Sequence, residues 1–163
     1  MSKMKTITIA LLASLLAASG AAAESPTMDQ AAILQKHELT EANKALVLKA
    51  YQELFGDHDL SALDRYWAAD YIQHNPTMTD GRDSVRQMLD SMGIAHWPKQ
   101  TVDFKRVIAE GDLVMLQVVQ PKTEATPETV VVDMFRVENG KIAEHWDVIQ
   151  AVPADAVNTR PMY

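Results

Sequence analysis

The chain reads as an α+β fold with helices first and sheet second, and three features of its 163 residues say so. Ala42, Leu46, Val47, Ala50, Tyr51, Leu54 and Phe55 fall at helical spacing, and Leu60, Leu63, Tyr66 and Trp67 form a second stripe. After Pro98 the pattern turns to strand, with TVDFKRVIAE and DLVMLQVVQ around Gly111-Asp112, then ETVVVDMFRV and KIAEHWDVIQ around Asn139-Gly140. Helices grouped ahead of hairpin-linked strands pack on one face of a curved, mainly antiparallel sheet.

The first 23 residues are set apart from that fold. Lys3 and Lys5 precede an apolar run from Ile7 to Ala18 and then Ala21-Ala22-Ala23, the pattern of a secretory signal peptide cut after Ala23. The run is too short for a spanning helix, so the expectation is a periplasmic or secreted protein with no membrane attachment after cleavage. The mature chain of about 140 residues suits one domain. It keeps 13 basic against 22 acidic residues, a formal charge of −9, which argues against nucleic acid as a partner. With no cysteine, thiolate catalysis, disulfides and Cys-based metal sites are excluded.

Residues 24–44 read as an N-terminal arm and the start of the first helix, with Thr40 as a possible N-cap and Gly56 as the end. The second helix is expected over 60–69, running into DYIQHNP (70–76), where Tyr71 to His74 can be extended and Asn75-Pro76 leaves helix. A third helix opens at Gly81-Arg82-Asp83, carries Val85, Met88, Leu89 and Met92 on one side, and stops at Gly93. Four strands follow as an antiparallel meander, and residues 154–163 form a tail. His37, His58 and His96 sit in polar or loop-like contexts, as exposed or capping residues.

The last two strands carry the chemistry. Glu138-Asn139-Gly140-Lys141 suits a type I turn followed by a left-handed Gly140, which would pair Arg136 with Ile142 and Asp133 with His145. Asp133, Phe135, Ala143, His145 and Asp147 would then share one face, and Met134, Arg136, Ile142, Glu144, Trp146 and Val148 the other. A two-residue Asn139-Gly140 turn is the alternative, and it would slip the pairing by one and separate Asp133 from His145 and Asp147. The apolar character of Met134, Ile142, Trp146 and Val148 predicts a homodimer through that second face, with coverage by the arm or the tail as the competing explanation.

Two segments, DYIQHNP followed by Gly81-Arg82, and VVDMFRVENGKIAEHWDVIQ (131–150), resemble the SnoaL-like polyketide cyclases of the nuclear transport factor two and ketosteroid isomerase-like superfamily. The likeness spans residues 45–153 and implies a cone-shaped α+β barrel enclosing a deep pocket. It further implies a general base at Asp147, with Asp133 where a helper acid or histidine would stand; here the histidine, His145, lies on the base's own strand. His74, from DYIQHNP, would help polarise the substrate, and no cofactor would be required. Tyr51, Phe55, Tyr66, Trp67, Phe104 and Phe135 are candidates for the pocket wall or the core.

Two functions follow as expectations. One is a lyase, isomerase or cyclase acting by acid/base chemistry on a small apolar carbonyl compound. The other is a non-catalytic periplasmic binder of a hydrophobic small molecule. A metal held by His74, His145 and Asp147 is a weaker reading, since a His-x-Asp pair is common in strands.

Overall fold

The structure, a computed structural model, describes residues 28–124 and 126–163. The expected signal peptide therefore lies outside the described residues. Helix α1 (Met28–Tyr51) runs into a π-helical turn at Gln52–Gly56, and a short α2 (Ala62–Tyr66) leads directly into strand β1 (Trp67–Gln73). Helix α3 (Arg82–Ser91) follows, and the sheet is completed by β2 (Phe104–Glu110), β3 (Leu113–Gln120), β4 (Thr129–Glu138) and β5 (Lys141–Ala151). The α+β class and the helix-then-sheet order hold. Among the described residues, no helix is long and apolar enough to cross a membrane.

Helix α1 begins a dozen residues before Thr40, which is not its cap. The Thr40 hydroxyl donates to the Lys36 carbonyl at 2.9 Å, one turn back, and accepts from the Gly111 amide at 3.1 Å. Asn43 donates to the Gly111 carbonyl at 2.9 Å, so the two side chains clamp the β2–β3 turn onto the helix. Val47, Ala50, Tyr51 and Leu54, spaced three and four apart, are buried beneath β2 and β3. Of these, Val47 and Leu54 each contribute about 1.5–3 kcal/mol by leaving water.

The second helix is shorter than its apolar stripe suggests. Trp67 already has an extended backbone, because β1 pairs in parallel with β5, Gln73 opposite His145. The antiparallel meander thus gains a fifth, parallel strand, and the sheet order is β1-β5-β4-β3-β2 with both edges open. The third helix matches its expected limits, with Gly81 and Gly93 both at positive φ on either side.

The β4–β5 hairpin differs from the preferred expectation in a way that matters. Asn139 and Gly140 have φ values of 50° and 70°, the signature of a two-residue type I′ turn, and Glu138 pairs with Lys141. Val137 then pairs with Ile142 but Arg136 with Glu144, so Ala143 is the extra residue of a bulge. Beyond it, Phe135 faces His145 and Asp133 faces Asp147. The register is therefore two residues from the expected one, and a shift of two leaves every side chain on its expected face. At the bulge itself Ile142 turns inward to 0% exposure, and it drops out of the outer apolar face.

Met134, Trp146 and Val148 do lie on that outer face, with Val148 at 67% exposure. Part of the face is crossed by the chain's own end. Gln117 donates to the Met162 carbonyl at 3.3 Å, and Lys105 stands 4.7 Å from the Tyr163 ring. A hollow of about 310 Å³ remains there between Arg106, Met115, Val132 and Pro161. A second hollow, of about 400 Å³, lies between Ile33, His37 and Glu110.

The turn supplies a direct test of the register. A Cβ at Gly140 would meet no atom within 4 Å, so the cost of Gly140→Ala is backbone strain alone. Urea unfolding should show a loss of about 1–2 kcal/mol. An unchanged midpoint would contradict the left-handed turn.

Candidate active site

Asp133 and His145 meet on the inner face of the sheet, 5% and 7% exposed. Asp133 Oδ1 lies 2.9 Å from His145 Nε2, and its Oδ2 accepts from the Tyr51 hydroxyl at 3.0 Å. The other ring nitrogen, Nδ1, lies 2.9 Å from Gln73 Oε1. That oxygen also accepts from the Asn75 backbone N–H at 2.9 Å, so it must be the carbonyl end of the amide. His145 therefore donates its Nδ1–H to Gln73, and a further proton lies between Nε2 and Asp133.

Asp147, half-buried, completes the group; donor atoms of Asp133, His145 and Asp147 lie within 4.8 Å of one another. Asn75 Nδ2 donates to Asp147 Oδ2 at 2.7 Å. The Asn75 side-chain oxygen, Oδ1, is held in turn by the Thr77 amide at 2.9 Å and hydroxyl at 2.6 Å. Oδ1 of Asp147 takes no hydrogen bond among the described residues.

Aromatic rings enclose the group. The His145 ring stacks on Phe135 with centroids 4.8 Å apart, and at 6.3 Å on Tyr71. Tyr51 packs against Phe55, Phe104 and Phe135 at 4.5, 5.8 and 6.2 Å. Burial, reinforced by the neighbouring Asp133, pushes the Tyr51 phenol well above its ordinary range. Burial raises the Tyr71 phenol as well. Both are fixed as neutral groups, and Tyr51 as an O–H donor. The aromatic side chains close over Asp133 and His145, neither hollow described above is lined by the group, and Asp147 is its accessible member.

The expected site residues divide clearly. Asp133, His145, Asp147, Tyr51, Phe55, Phe104 and Phe135 come together. Trp67 is buried in the core at the start of β1. Tyr66 bonds Glu53 at 2.9 Å beside Arg65 and is not among the rings around the group. His74 turns to the opposite face of the sheet, where it bonds Glu144 at 2.8 Å and stacks on Trp146 at 4.8 Å. The two-histidine metal set including His74 is therefore not assembled. His58, expected to be exposed or capping, is buried against Trp97, with Nδ1 3.2 Å from the Trp97 carbonyl; its left-handed backbone folds it inward. His37 and His96 are exposed as expected.

Gln73 and Asn75 were missed. The signal was the alternation of an extended segment, which puts Tyr71, Gln73 and Asn75 on one face and His74 on the other.

With that geometry established, the comparisons with known proteins are informative. The model of the SnoaL-like domain matches residues 48–145, and the chain belongs to that family. No curated protein matches it. Among solved structures it is similar to the loop-truncation variant of IdmH, a Streptomyces antibioticus protein assigned as a polyketide cyclase (23% identity, TM-score 0.52, 66% of this chain and 91% of that one). It is similar to a Kribbella flavida protein assigned as a ketosteroid isomerase (17%, 0.55, 75% and 84%). An LEH-like epoxide hydrolase of M. tuberculosis is another such structure (18%, 0.54, 68% and 84%). At these identities the likeness establishes the fold, the α+β cone of the nuclear transport factor two-like proteins.

The raised phenols give the site a pH signature. Stability contributed by neutral Tyr51 and Tyr71 is complete below the unfolded value of about 10 and is lost as pH climbs from there toward their folded values. Phenolate absorbance should show Tyr51 ionising only with unfolding, and Tyr51→Phe should remove part of the alkaline instability. Ionisation of Tyr51 in the folded chain near its ordinary value would contradict the buried Tyr51–Asp133 bond.

Proposed function

We propose that this SnoaL-like chain is an exported, cofactor-independent enzyme performing acid/base chemistry on a small apolar carbonyl compound, with Asp147 as the base. The observation that carries the reading is the asymmetry of the group. Asp133 and His145 have every polar atom engaged within the protein, whereas Asp147 has one oxygen held by Asn75 and the other without a hydrogen bond among the described residues. An oriented, accessible carboxylate in an aromatic setting is suited to remove a proton adjacent to a carbonyl.

In that reaction the substrate C–H electron pair would move toward the carbonyl and the proton to Asp147 Oδ1. The negative charge formed would lie near the proton shared by His145 and Asp133, whose atoms lie within 4.8 Å of the base. Protonated Asp147 would then return its proton to carbon or to a leaving oxygen, giving isomerisation or elimination. Tyr51 and Gln73 hold the acidic pair in place from either end. The cyclase, isomerase and hydrolase assignments of the similar structures support an enzymatic role. Export is supported by the Lys3/Lys5, apolar and Ala21-Ala22-Ala23 pattern.

A carrier of hydrophobic small molecules is the second reading, favoured by the mutual satisfaction of Asp133 and His145. The substitution Asp147→Asn separates the two, since it keeps the Asn75 contact side and changes only basicity. Turnover of a carbonyl substrate should fall by at least about 100-fold with little change in thermal midpoint. Unchanged turnover would remove Asp147 as base, and a ligand held equally well without any turnover would establish the carrier.

We also propose a homodimer through the outer face bearing Met134, Trp146 and Val148, which leaves Ile142 in the core. Light scattering on the eluting protein at micromolar concentration should give twice the chain mass. A strict monomer would exclude the dimer.

A further inference from the structure

Asp133 and Asp147 stand directly opposite each other across the β4–β5 pair, and like charges so placed repel. Among the described residues, no Lys or Arg pairs with either. His145 is the one basic group between them, bonded to Asp133 alone, and a divalent cation would relieve the repulsion that remains. The neighbouring residues also hold each donor in a particular way. Tyr51 occupies Asp133 Oδ2, Asn75 occupies Asp147 Oδ2, and Gln73 occupies His145 Nδ1. These three partners come from outside the group; Asp133 Oδ1 and His145 Nε2 are left to each other, and Asp147 keeps Oδ1 without a hydrogen bond among the described residues.

We propose that Asp133, His145 and Asp147 form a three-donor site for a divalent first-row transition metal. A histidine whose Nδ1–H is held by a carbonyl presents Nε2 as the ligand atom, the arrangement that metal-bound histidines ordinarily have. Two ligands at right angles, each about 2.1 Å from a metal, are separated by about 3 Å, and the 2.9 Å between Asp133 Oδ1 and His145 Nε2 is already such an edge. Asp147 lies somewhat farther out and, half-buried with one hydrogen bond, is the donor free to swing in. One nitrogen and two carboxylates cancel a double positive charge and suit manganese, iron, cobalt or zinc. As the ion enters, the proton between Nε2 and Oδ1 leaves to solvent. The site goes beyond the acid/base reading and does not rest on it. Metal on Asp147 would withdraw the base, so occupation and turnover by that route exclude each other.

Cobalt(II) alone is the probe, added to the full chain after chelation and dialysis. The expected result is one ion per chain, visible d–d absorption, displacement by zinc and a raised thermal midpoint. Asp147→Asn, checked for folding by circular dichroism, should weaken binding beyond detection. Gln73→Leu should weaken it by about 10–100-fold, as loss of a partner behind a ligand does. His37→Gln, at an exposed histidine away from the group, should leave it unchanged. A wild-type chain that gives no cobalt absorption, or binding undiminished in folded Asp147→Asn, overturns the site. Neither result bears on the base, which is judged by turnover of the metal-free enzyme.

Discussion

A single inserted residue, Ala143, decides which groups this protein holds inside. The type I′ turn at Asn139-Gly140 alone would give β5 a register that sends His145 and Asp147 to the face opposite Asp133. The bulge adds the second step that restores parity. The price is paid locally, where Ile142 and Ala143 both turn inward. From that point on, acid faces acid and phenylalanine faces histidine.

Everything around the hairpin serves this placement. Strand β1 joins in parallel, opposite His145, so that Gln73 and Asn75 reach the ring and the second carboxylate. Helix α1 delivers Tyr51 from the other side, and its clamp on Gly111 ties helix to sheet. The result is a chain of bonds, Tyr51 to Asp133 to His145 to Gln73, in surroundings of low polarity. There an unmet polar atom costs about 1–3 kcal/mol, so each member depends on its neighbours. Asp147 stands at the edge of this chain, held but open, and its position makes chemistry possible.

Much of this was legible in the residues. Helical periodicity located the second half of α1 and the whole of α3, and strand composition located β2 to β5, because burying one face imposes those periods; residues 29–39 of α1 are exposed and carry no such mark. The sharing of a face by Asp133, Phe135, His145 and Asp147 was legible although the turn was not, since turn and bulge each shift the register by one and a total shift of two keeps every face. Strand β1 was hidden because Tyr66 and Trp67 continue a helical stripe, and only pairing with a strand some 75 residues later draws Trp67 into the sheet. Such long-range pairing overrides local propensity. His74 was favoured over Gln73 and Asn75 because histidine titrates, whereas alternation along DYIQHNP was the better guide. The inward turn of Ile142 could not be read, since a bulge leaves no mark in a run such as KIAEHW.

The central claim is that the hairpin register buries His145 between Asp133 and Gln73 with a proton on Nδ1. Nitrogen-resolved NMR of the labelled imidazole tests it most directly. A slowly exchanging Nδ1–H on His145, shielded from solvent and lost in Gln73→Leu, is the predicted result. A rapidly exchanging ring whose only proton sits on Nε2 would contradict the geometry on which the site depends.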